Sequence, residues 1–157
     1  MEFSTKIIES YEFKEKLKNE EYQFVIGEKS EKENHSYLEI ELPNSDLIAI
    51  NAELSYKLKV FELIGYYLIY ASNEYLFFNK VDSTLVLKDS AQGGILDILK
   101  CDEKIVVISQ FEIVIYDDGL NLVENVEFMD IITDYKIEDD IISYRLDSGE
   151  IGVCEIN

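Results

Sequence analysis

The sequence predicts an all-β fold, a mostly antiparallel meander of short strands, with one short helix near the N-terminus. Three observations lead there. Helical periodicity is confined to one stretch, short apolar segments recur between polar turn residues, and those segments return at a spacing of 35 to 37 residues. In chain order, the helical signal runs from Tyr11 to Tyr22, where Phe13, Leu17 and either Glu21 or Tyr22 fall near one face. Lys14, Lys16 and Lys18 alternate there with Glu12, Glu15, Glu20 and Glu21, so the exposed face is mixed in sign; a strand followed by a loop is the competing reading. Glu28 to Asn34 reads as a charged, flexible loop leading to His35. Tyr37 to Leu42 alternates apolar with acidic residues, the pattern of a half-buried strand. Pro43-Asn44-Ser45-Asp46 then supplies a tight turn, and Leu47 to Ile50 returns as its partner.

From residue 60 the chain repeats. Val60-Phe61-Glu62-Leu63, Ile95-Leu96-Asp97-Ile98 and Ile132-Thr133-Asp134-Tyr135 share the order apolar, variable, acidic, apolar. Each precedes an apolar strand (Leu68–Tyr70, Val106–Ile108, Ile141–Tyr144), then a polar turn, then a further strand (Tyr75–Phe78, Glu112–Tyr116, Glu150–Glu155). In the first two units another turn and strand follow, ending at Leu87 and Val123. A period of about 36 residues built from three or four antiparallel strands resembles a propeller blade. A twisted sheet, sandwich or partly open barrel fits the same meander. The whole of 1–157 reads as a single acidic β-rich domain, with the repeated units in 60–157.

At 157 residues the chain is long enough to bury about 70% of its unfolded surface without disulfides or structural metal. Its charge is the outlying feature: 14 Lys plus Arg against 33 Asp plus Glu, a formal net of −19. Residues 111–157 carry only Lys136 and Arg145 against 13 acids. The same third is rich in aromatic and β-branched residues, so the acids decorate packed structure and not a disordered tail. Such a field repels nucleic acid and anionic lipid and accelerates encounter with basic proteins. The N-terminus has no signal-peptide pattern, and the longest apolar run, Leu63 to Ala71, is too short for a membrane helix. A cytoplasmic location with no membrane partner is expected. Cys101 and Cys154 belong to no CxxC pair and sit beside acids, which disfavours the thiolate; two inert thiols are expected, with a single disulfide as the alternative.

No catalytic signature is present: neither a GxSxG elbow, nor a phosphate-binding glycine loop, nor a set of histidines. His35 is the sole imidazole and reads as a solvated loop residue. Asp117-Asp118-Gly119 lacks calcium-loop spacing and reads as a hairpin turn in which both Asp118 and Gly119 take positive φ. The chain is therefore expected not to be an enzyme and to need no cofactor and no metal. Glu138-Asp139-Asp140, with Asp117, Asp118, Asp130, Asp134, Asp147 and Glu150, is read as a carboxylate rim gathered at strand ends. Tyr116, Tyr135 and Tyr144 lie among these acids as candidate aromatic anchors.

A small, acidic chain without catalytic motifs is similar in size and charge to the immunity proteins of bacterial polymorphic-toxin and contact-dependent inhibition systems. That resemblance implies a protein-binding inhibitor that occludes the active site of a basic toxin domain such as a nuclease. The alternative is a scaffold β module that binds a peptide or subunit through its loops. The sequence does not fix the oligomeric state.

Overall fold

The computed structural model describes residues 4–27, 29, 34–53, 59–63 and 65–157. Most of the expected Glu28–Asn34 loop lies outside the described residues. The chain, read from sequence as one domain, divides by its internal contacts into two compact units, Met1–Asp89 and Ser90–Asn157.

The first unit opens with β1 (Ser4–Ile8), then the helix α1 (Ser10–Lys18), β2 (Tyr22–Gly27), β3 (His35–Glu41) and β4 (Leu47–Glu53). The helix forms where the sequence signal lay but stops short of Tyr22. Glu20 turns left-handed at φ 56°, and Tyr22 begins a strand instead. Glu12 in its first turn and Lys16 and Lys18 in its last complement the helix dipole. Phe13 is fully buried against Val25, Tyr37 and Ala49, which ties the helix to the sheet. That sheet has the order β1-β3-β4-β2, and β2 runs parallel to β4, a departure from the antiparallel meander. The helical crossover brings β2 back in the direction of β1, and β4, antiparallel to β3 as β1 is, runs the same way, so β2 and β4 pair in parallel.

The second sheet is a simple meander of β5 (Lys59–Leu63), β6 (Tyr66–Ala71), β7 (Glu74–Asn79) and β8 (Leu85–Ser90). Its two central strands are apolar on both faces and buried, as strands covered on both sides must be. Ile26, Ile40, Ile48 and Ile50 from the first sheet meet Ile69, Leu76 and Phe78 from the second in one core.

The second unit repeats the pattern. A third sheet holds β9 (Ile95–Cys101), β10 (Lys104–Ser109), β11 (Glu112–Asp117) and β12 (Leu122–Glu127) in meander order. A fourth has only three strands, β13 (Ile132–Glu138), β14 (Ile141–Leu146) and β15 (Ile151–Glu155). The meander sheets thus begin at Lys59, Ile95 and Ile132, spaced 36 and 37 residues apart. Their connections repeat as well. Gln110 donates its backbone N–H to Gly94 O at 3.0 Å, and 37 residues on Asp147 does the same to Ile131 O at 2.9 Å. Val106, Ile108, Ile113 and Ile115 pack against Ile132, Ile142, Leu146 and Ile156 to form this unit's core.

Glutamates at the heads of β7 and β11 each hold a backbone N–H from earlier in the chain. Glu74 accepts the Gly27 N–H at 2.6 Å, and Glu112, 4% exposed, accepts the Gln92 N–H at 2.7 Å. Part of the acidity is therefore structural.

Candidate functional site

The second unit contains 16 acids against Lys100, Lys104, Lys136 and Arg145. Antiparallel pairing decides where they gather. The β9–β10 turn carries Asp102 and Glu103, and the register places Lys104 opposite both Cys101 and Asp117. Asp117 and Asp118 therefore stand at the same end of that sheet. The β13–β14 turn at Asp139 and Asp140 joins them: the Cys101 thiol lies 3.6 Å from Asp139 O and 3.5 Å from Asp140 Oδ1. An open cleft of about 580 Å³ lies between these turns, lined by Cys101, Asp102, Glu103, Lys104, Asp140 and the last two residues. One end of the unit thus presents Asp102, Glu103, Asp117, Asp118, Glu138, Asp139 and Asp140. Lys136 is engaged with Glu138 in an exposed ion pair.

The other expected members of the rim lie at the opposite end. In a three-stranded antiparallel sheet consecutive turns alternate ends, so Asp147 and Glu150, in and beside the β14–β15 turn, cannot join Asp139 and Asp140. Asp130 belongs with them. Its carboxylate accepts the backbone N–H of Ser148 at 2.7 Å and of Ile131 at 2.9 Å, and these bonds hold its pKa below the usual range. Asp134 sits near this end, opposite Arg145. The single rim read from sequence is two groups at opposite ends.

The tyrosines separate too. Tyr116 is 3% exposed, so it is a core aromatic and not an anchor. Tyr135 is half-buried and donates its hydroxyl to Asp97 Oδ2 at 3.0 Å. Tyr144 packs against Phe128 with ring centroids 4.6 Å apart and lies over Gly152, where an added Cβ would meet its hydroxyl at 2.3 Å.

The Asp117 turn is a hairpin, but not of the expected type. Positive φ falls on Leu120 (62°) and not on Gly119. Leu120 N–H bonds Asp117 O and Asp117 N–H bonds Asn121 O, a three-residue loop closed by a left-handed residue. Burial of the Leu120 side chain, 8% exposed, offsets the strain of that conformation. Asp117 Oδ1 accepts from the Gly119 and Asn121 backbones, and these contacts with the Asn121 amide lower the Asp117 pKa. Asp102 and Glu103 were not singled out in sequence, although two adjacent acids between apolar strands were the available signal.

His35 is not a solvated loop residue: it begins β3, half-buried, with Nδ1 2.6 Å from Oδ1 of buried Asn51. Both cysteines are free thiols. Burial first, then carboxylate neighbours, pushes both thiols above their ordinary pKa; the neighbours are Asp140 and Asp102 for Cys101, and Glu124 and Glu155 for Cys154. Among the described residues no group of three His, Cys, Asp or Glu side chains is placed to hold a metal ion, and no helix is long and apolar enough to cross a membrane.

No protein-family model matches the chain, and no curated protein matches it. Solved structures do. The computationally designed protein Ika4 aligns with a TM-score of 0.51 at 12% identity, over 85% of this chain and 97% of that one. BamB from Moraxella catarrhalis aligns at 0.46 with 10% identity, over 80% of this chain and 41% of that one. Hsv2p from Kluyveromyces lactis aligns at 0.47 with 14% identity, over 81% of this chain and 42% of that one. The chain spans less than half the length of the latter two. The likeness is one of fold: all-β, with antiparallel, propeller-like meander sheets.

Proposed function

We propose that this chain is an acidic protein-binding inhibitor, an immunity protein that neutralises a basic toxin domain such as a nuclease by occluding its active site. The observation carrying this reading is the concentration of Asp102, Glu103, Asp117, Asp118, Glu138, Asp139 and Asp140 at one end of the second unit, fixed there by strand register and tight turns. A net charge of magnitude about 2–8 keeps a small domain soluble, and this chain's −19 is well beyond that. Carboxylates held on a rigid frame complement the Lys and Arg of a phosphate-binding groove and raise the association rate. A cytoplasmic location belongs to the same proposal.

The test is capture of partners from the source cell at low salt, followed by elution in a rising salt gradient. A basic protein that elutes with salt, binds the purified chain, and is not captured by the E138K/D139K/D140K variant supports the reading. Equal capture by that variant, confirmed as folded, refutes it.

A further inference from the structure

The second and third sheets each lay a fourth strand on the outer edge of their third strand, β8 on β7 and β12 on β11. The last sheet stops at β15, whose outer edge pairs with nothing among the described residues. The direction of its backbone groups follows from the ladder. Leu146 N–H bonds Glu150 O at 2.9 Å and Ile156 N–H bonds Asp140 O at 2.8 Å, with Tyr144 opposite Gly152 and Ile142 opposite Cys154 between them. Hydrogen-bonded pairs recur every second residue, so Gly152 and Cys154 point their backbone groups at β14. Ile151, Val153 and the N–H of Glu155 point theirs outward.

The side chains of those outward residues are open too. Ile151 is 66% exposed and Val153 64%, whereas β7 is buried along its centre and β11 through nearly its whole length. Edge strands normally avoid pairing by carrying lysine, proline or a bulge. β15 carries none of these. Glu155 continues the face of Ile151 and Val153, where Arg145 of β14 stands opposite Ile151, and Glu150 precedes them on the other face, so a carboxylate stands at each end of this edge.

We infer that the outer edge of β15 is a docking site for an extended, basic segment of a partner protein, added as an antiparallel fourth strand. Backbone pairing with Ile151, Val153 and Glu155 supplies the binding, apolar side chains of the segment cover Ile151 and Val153, and Lys or Arg at its ends meets Glu150 and Glu155. A second copy of this chain is the wrong occupant, because each copy brings a charge of −19 to the contact. The inference rests on the partner being basic, as in the inhibitor reading, and not on its being a toxin.

The probe is a blocked nine-residue peptide with lysine at both ends and alternating valine and threonine between. On binding the full chain, the amides of Ile151, Val153 and Glu155 should slow in hydrogen exchange while the β14-facing amides of Gly152 and Cys154 stay unchanged. Val153→Pro removes one outward N–H and no bond to β14, so it should weaken the peptide by at least about tenfold with the urea midpoint preserved. Unprotected outward amides at saturating peptide would overturn the proposal. So would equal binding of a peptide with threonine in place of both lysines, or a dimer of the chain alone that V153P dissolves. A partner lost by E138K/D139K/D140K but retained by V153P sinks the strand proposal and leaves the inhibitor reading standing. The converse pattern sinks the inhibitor reading and leaves the strand proposal standing.

Discussion

Glu112 is the acid whose loss has the most predictable effect. Its side chain is 4% exposed, and its Oε1 accepts the Gln92 N–H at 2.7 Å. Ser109 Oγ, fully buried, donates to Gln92 O at 3.0 Å, so both backbone groups of Gln92 are held from beneath. Gln110 completes the latch: its backbone N–H reaches Gly94 O, and its Oε1 accepts the Gly94 N–H, each at 3.0 Å. Gly93 is required between them, because at φ +78° a Cβ would lie 2.8 Å from the Phe111 ring. A hydrogen bond to a charged group contributes about 1.5–3 kcal/mol. Gln92 itself is exposed and its freed N–H can find water. Glu112→Ala should therefore cost about 2 kcal/mol, in the middle of that range. Glu112→Gln keeps an acceptor in place and should cost about 1 kcal/mol or less. With a urea slope of about 2 kcal/mol per M, the alanine variant loses about 1 M in midpoint. Amide exchange at Gln92 should speed up in the same variant. The combined S109A/E112A loss should fall short of additivity, since both groups restrain one residue. An alanine variant as stable as the parent would refute the latch.

Other expectations follow from the shifted ionisations. Asp130 and Asp117 have lowered pKa values from backbone and side-chain hydrogen bonds, so their contribution is complete above the unfolded carboxylate value of about 3.9 and is lost as pH falls through the lower folded values. Urea midpoints should drop on acidification below about pH 4, and D130N should flatten that limb. On the alkaline side, Lys16 is raised by its bond to Glu39 at 2.6 Å, and Tyr22 by burial and then by the same carboxylate. Both contributions are present below the unfolded values of about 10 and are lost as pH rises through the folded ones, so Tyr22→Phe should reduce the fall in stability above about pH 10. Cys101 and Cys154, with thiols raised by burial, should alkylate with iodoacetamide at pH 8 more slowly than free cysteine; a faster rate at either would refute that environment.

The repeat was legible because each meander sheet starts with the same apolar and acidic order and each hairpin closes with polar residues. Those are local signals, and the structure places strand starts at 59, 95 and 132. Pairings set by distant contacts were not legible. The parallel union of β2 with β4 depends on the helical crossover and on the burial of Phe13. Leu120 was invisible as the left-handed turn residue, since its tolerance comes from core burial and not from its own propensity. The acidic rim divided because spatial grouping depends on the parity of turns in a meander, which a list of acidic positions does not carry. Tyr116 is buried because β11 is buried on both faces, so alternation along the strand does not bring it out to the acids beside it in sequence.

The central claim is that carboxylates fixed at one end of the second unit attract a basic protein. The measurement that tests it most directly is the association rate constant with the salt-eluted partner as a function of ionic strength, for the parent chain and for E138K/D139K/D140K. The parent rate should fall steeply as the Debye length shortens to about 8 Å near physiological salt, and the reversed variant should start slower and show a much shallower slope. Rates that coincide for the two proteins at every salt concentration would contradict the account.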